Sequence, residues 1–129
     1  MSKNRTIATD AAPAAIGPYS QAIVSGGFLW CSGQIAMDPA SGELTAQGIE
    51  AETRQVLANL EAVLAAGECT FEDLVRCTIY LADMEDFPIV NDLYAAVLGT
   101  ARPARATVAV AGLPKGARIE IDAVARVPS

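Results

Sequence analysis

Histidine is absent from this sequence, and cysteine is scarce. Without histidine the chain lacks the commonest metal ligand, the usual general base near pH 7 and any Ser–His or Cys–His dyad. The three cysteines, Cys31, Cys69 and Cys77, are odd in number and show no CxxC spacing, which argues against a disulfide framework or a zinc site. An enzyme built on this sequence must therefore use carboxylates, Arg, Lys, Tyr and backbone amides, and a reducing cytoplasm is the expected compartment.

Basic residues and long apolar runs are also few. The chain has 9 Lys and Arg against 15 Asp and Glu, a formal charge of -6, and its basic residues are scattered. Nucleic acids and anionic membranes both require a basic surface, so we expect neither as a partner. Residues 1–15 hold no apolar run of signal-peptide length, and the apolar stretch 56–66 is interrupted by Asn59 and Glu61. These absences predict a soluble cytoplasmic protein.

Apolar residues, in contrast, are abundant. Hydrophobic residues make up 52% of the 129 and charged residues only 19%. The length predicts one domain spanning residues 1–129, which can bury a core without disulfides or metal. The apolar content exceeds what one small core needs, and the surplus predicts an oligomeric interface.

The first half of the chain predicts three strands and a helix. Residues 3–9 are typical of an edge strand, and residues 21–25 and 28–32 of a hairpin whose turn is the Gly-Gly pair between them. From residue 47 to 66 apolar residues recur with helical spacing, with Thr45 as the expected N-cap and Gly67 as the expected end.

The second half predicts a strand, a second helix and two more strands. Residues 75–81 alternate between apolar and polar side chains, as in a half-buried strand. A helix is expected to begin near Asp86 and to end at Gly99. Its predicted apolar stripe comprises Phe87, Val90, Leu93, Tyr94 and Val97.

Residues 103–125 predict a strand, a turn and a second strand. One charged residue stands out in each half, Arg105 just before the first strand and Glu120 within the second. If strands 107–111 and 119–125 pair as a hairpin, Glu120 lies opposite residue 108 or 109, and Arg105 lies on the order of 10 Å further along. Both side chains could then contact one small anionic ligand. The alternative is a structural salt bridge on the solvent face of the sheet.

This order of elements predicts an α+β fold, a mainly antiparallel sheet with two helices on one face. The other face would carry Val124, Val108 and either Val110 or Ala109, and would stay partly apolar. Burying that face against further copies of the chain predicts a homo-oligomer.

Five segments in the same order resemble the RidA/YjgF family of reactive intermediate deaminases. They are residues 16–22 (IGPYSQA), 31–35 (CSGQI), 83–91 (DMEDFPIVN), 103–108 (PARATV) and 113–125 (LPKGARIEIDAVA). The resemblance implies a chorismate-mutase-like fold and a homotrimer with sheets inward, helices outward and a cleft at each subunit interface. It also implies hydrolysis of 2-aminoacrylate and 2-aminocrotonate, with their imine forms 2-iminopropanoate and 2-iminobutanoate, to 2-keto acids and ammonia, a form of metabolite damage control.

The resemblance also assigns residues to roles. Arg105 matches the family's substrate-clamping Arg and Glu120 its catalytic Glu, so we expect the first to hold the substrate carboxylate and the second to move protons. The other cleft residues implied are Tyr19, Ser32, Gly33, Asn91 and Thr107. Protonated imines are electrophilic without help, so neither a metal nor an organic cofactor is expected.

Several alternatives stay open at this stage. Tyr19 could pack in the core instead of lining a site. Asp122 is more simply a structural or solvated acid, although two like charges on one strand face would raise the pKa of one of the two carboxyl groups. Arg102 departs from the aromatic residue that often precedes the PAR motif, which leaves cleft size and substrate preference open. A non-catalytic or chaperone-like trimer could use the same cleft, whereas RNA cleavage is disfavoured by the acidic charge and the lack of histidine.

Overall fold

The computed structural model describes residues 3–45 and 47–128, so residues 1, 2, 46 and 129 of the predicted domain lie outside the described residues. The described chain forms an α+β fold in which strands and helices follow each other in the predicted order. The elements are β1 Arg5–Ile7, β2 Ala22–Ser25, β3 Phe28–Gln34, α1 Ile49–Ala66, β4 Leu74–Leu81, α2 Phe87–Leu98, β5 Ala104–Ala109 and β6 Ile119–Arg126.

The strands form one mixed sheet in the order β1-β2-β3-β6-β4-β5. All neighbouring strands are antiparallel except β4 and β5, which are parallel. The predicted hairpin of β2 and β3 is confirmed, with Gly26 and Gly27 at φ 64° and 85° in its turn. Two consecutive residues of positive φ match the right-handed twist of paired strands, and glycine takes that conformation without a steric penalty.

The predicted hairpin of the last two strands is wrong, because β4 lies between β5 and β6. Tyr80 of β4 is opposite both Val108 and Glu120. The cause is α2, which carries the chain from β4 back to the same edge of the sheet, so that β5 runs parallel to β4. The following loop then brings β6 into the gap between β3 and β4. In addition, β5 begins three residues earlier than predicted and contains Arg105.

Both helices cover the same face of the sheet, and the core lies between them and the strands. The buried row of α1 consists of Val56, Leu57, Leu60, Val63 and Leu64, all on the predicted face, and Gly67 ends the helix as expected.

Three details of the predicted pattern are wrong. Gly48 at φ 102°, not Thr45, precedes α1; Leu98 replaces Val97 in the buried stripe of α2; and a bulge after Leu74 exposes Val75.

The opposite face of the sheet has no helix over it within the described residues. Trp30 is 51% exposed there and Val108 40%, beside the half-buried Val124. This uncovered face is the apolar surface that the sequence predicts, and its burial in a homo-oligomer stays a prediction. None of the helices in the described part of the chain combines the length and apolar character needed to cross a membrane.

Candidate active site

Arg105 and Glu120 lie on opposite faces of the sheet. Arg105 is in register with Cys77 and Glu120 with Tyr80, and residues three apart on one strand point to opposite faces. Their α-carbons are separated by two strand spacings across the sheet and by three residues along it, which together amount to about 14 Å. The expectation that both side chains of one chain contact the same small ligand is therefore wrong.

Arg105 is held by three side chains of α2. Its Nη1 donates a hydrogen bond of 2.8 Å to Asn91 Oδ1. Its guanidinium carbon lies 5.4 Å from the ring centre of Phe87 and 5.1 Å from that of Tyr94, both within cation–π range. Residues 87, 91 and 94 follow an i, i+4, i+7 spacing, so they share one helix face, here called the Arg105 clamp.

All three groups of the clamp are neutral. The ion pairs among residues 3–45 and 47–128 join Arg54 to Glu50 and Arg118 to Glu52, so Arg105 has no acidic partner there. This excludes a salt bridge between Arg105 and Glu120 within the described chain. The guanidinium is fixed in position while its charge stays available to an anion, in a cavity of about 420 Å³ on this side of the sheet.

Thr107 lies on the same side of the sheet as Arg105, because it is in register with the buried Ile79. Its Oγ1 is buried and has no hydrogen-bond partner within the described residues. Buried hydroxyls are normally paired, so an unpaired one beside Arg105 is consistent with a polar group of a ligand or a second chain approaching it.

Glu120 lies on the uncovered face, and its carboxylate packs directly on the α-carbon of Gly33. A β-carbon at residue 33 would lie 2.2 Å from Glu120 Oε2, so only glycine leaves room for the carboxylate. Burial, and in addition the negative charge of Asp122, raise the pKa of Glu120 above its ordinary value. Asp122 itself accepts a hydrogen bond of 2.9 Å from the Tyr80 hydroxyl.

A cavity of about 340 Å³ opens beside the Glu120 carboxylate. Gly33 and Tyr19 line it, and Tyr19 is 55% exposed, so its ring is not part of the core. Ser32 does not line this cavity. Its hydroxyl donates to the Ser20 carbonyl, and this contact fixes the loop that carries Tyr19 against β3.

The predicted site residues therefore fall into two half-sites. The Glu120 half-site comprises Tyr19, Ser32, Gly33 and Glu120, and the Arg105 half-site comprises Asn91, Arg105 and Thr107.

Comparison with known proteins decides the family. The family model described as Endoribonuclease L-PSP matches residues 9–127. A 2-iminobutanoate/2-iminopropanoate deaminase of Capra hircus is 49% identical over 121 residues, which cover 94% of this chain and 88% of the goat protein. The chain belongs to the RidA/YjgF family.

Solved structures of relatives have the same fold. A Rid family protein from Yersinia pestis superimposes with a TM-score of 0.94 at 47% identity, covering 97% of this chain and 100% of the other. TdcF of E. coli, crystallised with bound serine, gives a TM-score of 0.90 at 35% identity, covering 97% and 99% of the two chains. These matches confirm the RidA/YjgF fold predicted from the five sequence segments.

Sequence reasoning missed the aromatic part of the Arg105 clamp in this RidA/YjgF chain. Phe87 and Tyr94 were assigned to the apolar stripe of α2, which normally indicates core packing. Asn91 lies between them at helical spacing, and this could have indicated that the same stripe also faces a polar site. Lys115, whose φ is 58°, lines the Glu120 cavity and was also missed. The turn sequence around it did not indicate a role in a site.

The cysteines of this RidA/YjgF chain lack the character of nucleophiles. All three are buried, and burial raises the pKa of the Cys31 thiol to about 12. Among the described residues, no group of three Cys, Asp or Glu side chains could hold a metal ion.

Proposed function

We propose that this protein hydrolyses 2-imino acids, formed from the enamines 2-aminoacrylate and 2-aminocrotonate, to 2-keto acids and ammonia. The observation that carries this proposal is Arg105, a guanidinium that neutral groups hold rigidly and that no acid of the described chain neutralises. Such a group suits a substrate carboxylate, because its planar fork can pair with two oxygens at once. The goat relative is named for this activity.

In this proposal Glu120 moves the protons. Burial and the charge of Asp122 raise its pKa above the ordinary glutamate value, and this makes the carboxylate a stronger base toward water. Glu120 takes a proton from water as the water oxygen attacks C2 of the imine, which gives a carbinolamine. The imine is attacked in its protonated form, so the carbinolamine carries a neutral amine, to which Glu120 then passes its proton. As the C–N bond breaks, the hydroxyl oxygen becomes the carbonyl oxygen and its proton goes to Glu120, so that ammonia and the 2-keto acid leave. Imine hydrolysis needs no change of oxidation state, so the proposal requires no cofactor.

We propose further that each active site forms between two copies of the chain. The Glu120 half-site of one copy would meet the Arg105 half-site of its neighbour, with Tyr19 and Gly33 on the first side and Asn91 and Thr107 on the second. The placement of the two charges on opposite faces and the uncovered apolar face support this arrangement. A homotrimer of the single domain, residues 1–129, in the cytoplasm is the assembly that we propose.

A coupled assay tests the function. A serine dehydratase that depends on pyridoxal phosphate releases 2-aminoacrylate, and pyruvate formation is followed with and without this protein. We expect the wild type to accelerate pyruvate release and Arg105→Ala to abolish the effect while the oligomer, measured by light scattering, stays intact. Wild-type protein that gives no acceleration would overturn the proposal.

A non-catalytic binding or chaperone-like role of the same cleft is the alternative. It predicts that 2-ketobutyrate binds through Arg105 and that Glu120→Ala leaves the wild-type effect on the coupled assay unchanged. RNA cleavage, which the description of the family model names, is opposed by the charge of -6 and the absence of histidine.

A further inference from the structure

Arg102 is fixed over the C-terminal end of α2. Its Nη1 donates hydrogen bonds of 2.7 Å to the carbonyl oxygens of Gly99 and Ala101. Gly99 is the residue that follows α2, and Ala101 lies in the turn between α2 and β5, so these two bonds hold the guanidinium against that turn. Two bonds on one nitrogen leave further N–H donors of the guanidinium without a partner among residues 3–45 and 47–128.

The cavity beside Arg105 also contains Arg102. Asn91, Tyr94, Ala95 and Pro103 complete its lining, which has no acidic residue. Burial raises the pKa of the Tyr94 phenol, while the charges of both Arg105 and Arg102 lower it, so both positive charges act on one place. In a chain of net charge -6, two arginines in a cavity without an acid form a local anion-binding region.

The size of this region allows a ligand with two anionic groups. The cavity volume is about 420 Å³. A monocarboxylic imine of three or four carbons would occupy Arg105 alone and would leave Arg102 without an anionic partner. A side-chain carboxylate on the substrate would provide that partner.

We propose that Arg102 determines substrate specificity by binding a second carboxylate, so that this enzyme prefers dicarboxylic 2-imino acids. The C1 carboxylate contacts Arg105 and the side-chain carboxylate contacts Arg102. This inference rests on the proposed function for the reaction itself, which is the same hydrolysis to a 2-keto acid and ammonia. The alternative is that Arg102 only caps α2.

The experiment compares two imines of five carbons that differ in the second carboxylate. Flavin-dependent oxidases generate 2-iminoglutarate from D-glutamate and 2-iminopentanoate from D-norvaline, and semicarbazide traps the imine that remains. The wild type should have a higher kcat/KM for the dicarboxylic imine. Arg102→Gln should lower that preference about five- to tenfold, the range of a partly exposed charged hydrogen bond, with the rate on 2-iminopentanoate unchanged.

A control variant and a binding measurement separate the possible results. Arg54→Gln removes the same charge from the exposed face of α1 and should leave the preference unchanged. Calorimetry of 2-oxoglutarate against 2-oxopentanoate should show the same loss of selectivity in Arg102→Gln without any turnover. If wild type hydrolyses neither imine but accelerates pyruvate release in the coupled assay, the proposed function stands and the preference for dicarboxylic imines is refuted; if it is inactive in both assays, the proposed function fails.

Two results would overturn the role of Arg102. One is an Arg102→Gln variant with wild-type preference and wild-type selectivity in binding. The other is a variant in which thermal unfolding shows a loss of stability and both imines are affected equally, because that is the behaviour of a helix cap.

Discussion

The two half-sites hold their charged groups in opposite ways. Arg105 is surrounded by the neutral clamp of Phe87, Asn91 and Tyr94, which fixes the guanidinium without neutralising it. Glu120 lies beside another acid and against the backbone of Gly33, where burial and like charge favour its protonated form. In the proposed function, Arg105 holds the substrate and Glu120 exchanges a proton.

In the proposed function, this difference means that neither half-site is an active site alone. A fixed cation can orient a carboxylate but cannot move a proton, and a carboxyl group can move a proton but cannot form an ion pair with an anionic substrate. Placing them on opposite faces of one sheet keeps them from forming an internal ion pair. The variants below should therefore separate turnover from substrate binding.

The largest effect is expected from Glu120→Gln. The amide keeps the shape of the side chain but cannot take a proton from water, so kcat for imine hydrolysis should fall by about 10² to 10⁴. Affinity for 2-ketobutyrate, measured by calorimetry, should change little because Arg105 is intact. Glu61→Gln is the matched control, since it makes the same change at an exposed residue of α1. A variant that keeps a third or more of wild-type kcat would show that Glu120 is not the proton carrier.

Gly33→Ala should cause the second largest fall in kcat. The new β-carbon would lie 2.2 Å from Glu120 Oε2 and 2.8 Å from Cδ, atoms at the free end of a flexible side chain. The carboxylate should move aside while the fold stays intact, and a displacement of about 1 Å can cost on the order of 100-fold in rate. We expect a lower kcat with an unchanged thermal midpoint. Normal kcat would contradict the packing of Glu120 on Gly33.

A smaller effect is expected from weakening the contacts that hold the Arg105 guanidinium in its half-site. Tyr94→Leu removes one ring of the clamp, and because a cation–π contact contributes about 0.5–2 kcal/mol, KM should rise roughly three- to tenfold. Tyr94→Phe is the control, since it keeps the ring and deletes a buried hydroxyl that has no hydrogen-bond partner in the described chain. If kcat falls instead of KM rising, the clamp does not serve binding.

The smallest expected effect is a change in how the thermal stability of the protein depends on pH. Because the folded pKa of Glu120 is raised, the native protein binds more protons than the unfolded chain in the window above the ordinary glutamate pKa of about 4.3. Stability from this group is present below that window and is lost as pH rises through the folded pKa. Glu120→Gln should therefore unfold at a slightly higher temperature than wild type at pH 7 and at the same temperature near pH 4. The opposite order would contradict the raised pKa.

Local pattern predicted most of the fold. The two helices, the Gly26–Gly27 hairpin and the apolar uncovered face follow from periodicity, turn chemistry and composition. The position of β4 between β5 and β6 could not be predicted in this way, because strand order depends on how α2 packs, a long-range choice that no local segment encodes. The exposure of Val75 could not be predicted either, because the bulge after Leu74 shifts the alternation of buried and exposed side chains by one residue.

The arrangement of the candidate site residues could not be predicted from the sequence, and their roles stay predictions. Motif resemblance supplied Arg105 and Glu120, and the structure shows that these two residues lie on opposite faces. Once β4 separates the two strands, a ligand that touches both residues has to lie between chains. The role of Phe87 and Tyr94 was hidden because aromatic residues on a helix stripe normally indicate core packing.

The central claim is that each active site takes its two halves from different chains, and mixing two inactive variants tests it most directly. Arg105→Ala and Glu120→Ala are unfolded together in equal amounts and refolded, and imine hydrolysis is measured. Random assembly gives intact half-sites on both sides of about a quarter of the interfaces, so about a quarter of wild-type activity should return. If the refolded mixture is as inactive as each variant alone, although both variants assemble, the two residues do not act across an interface and the account is contradicted.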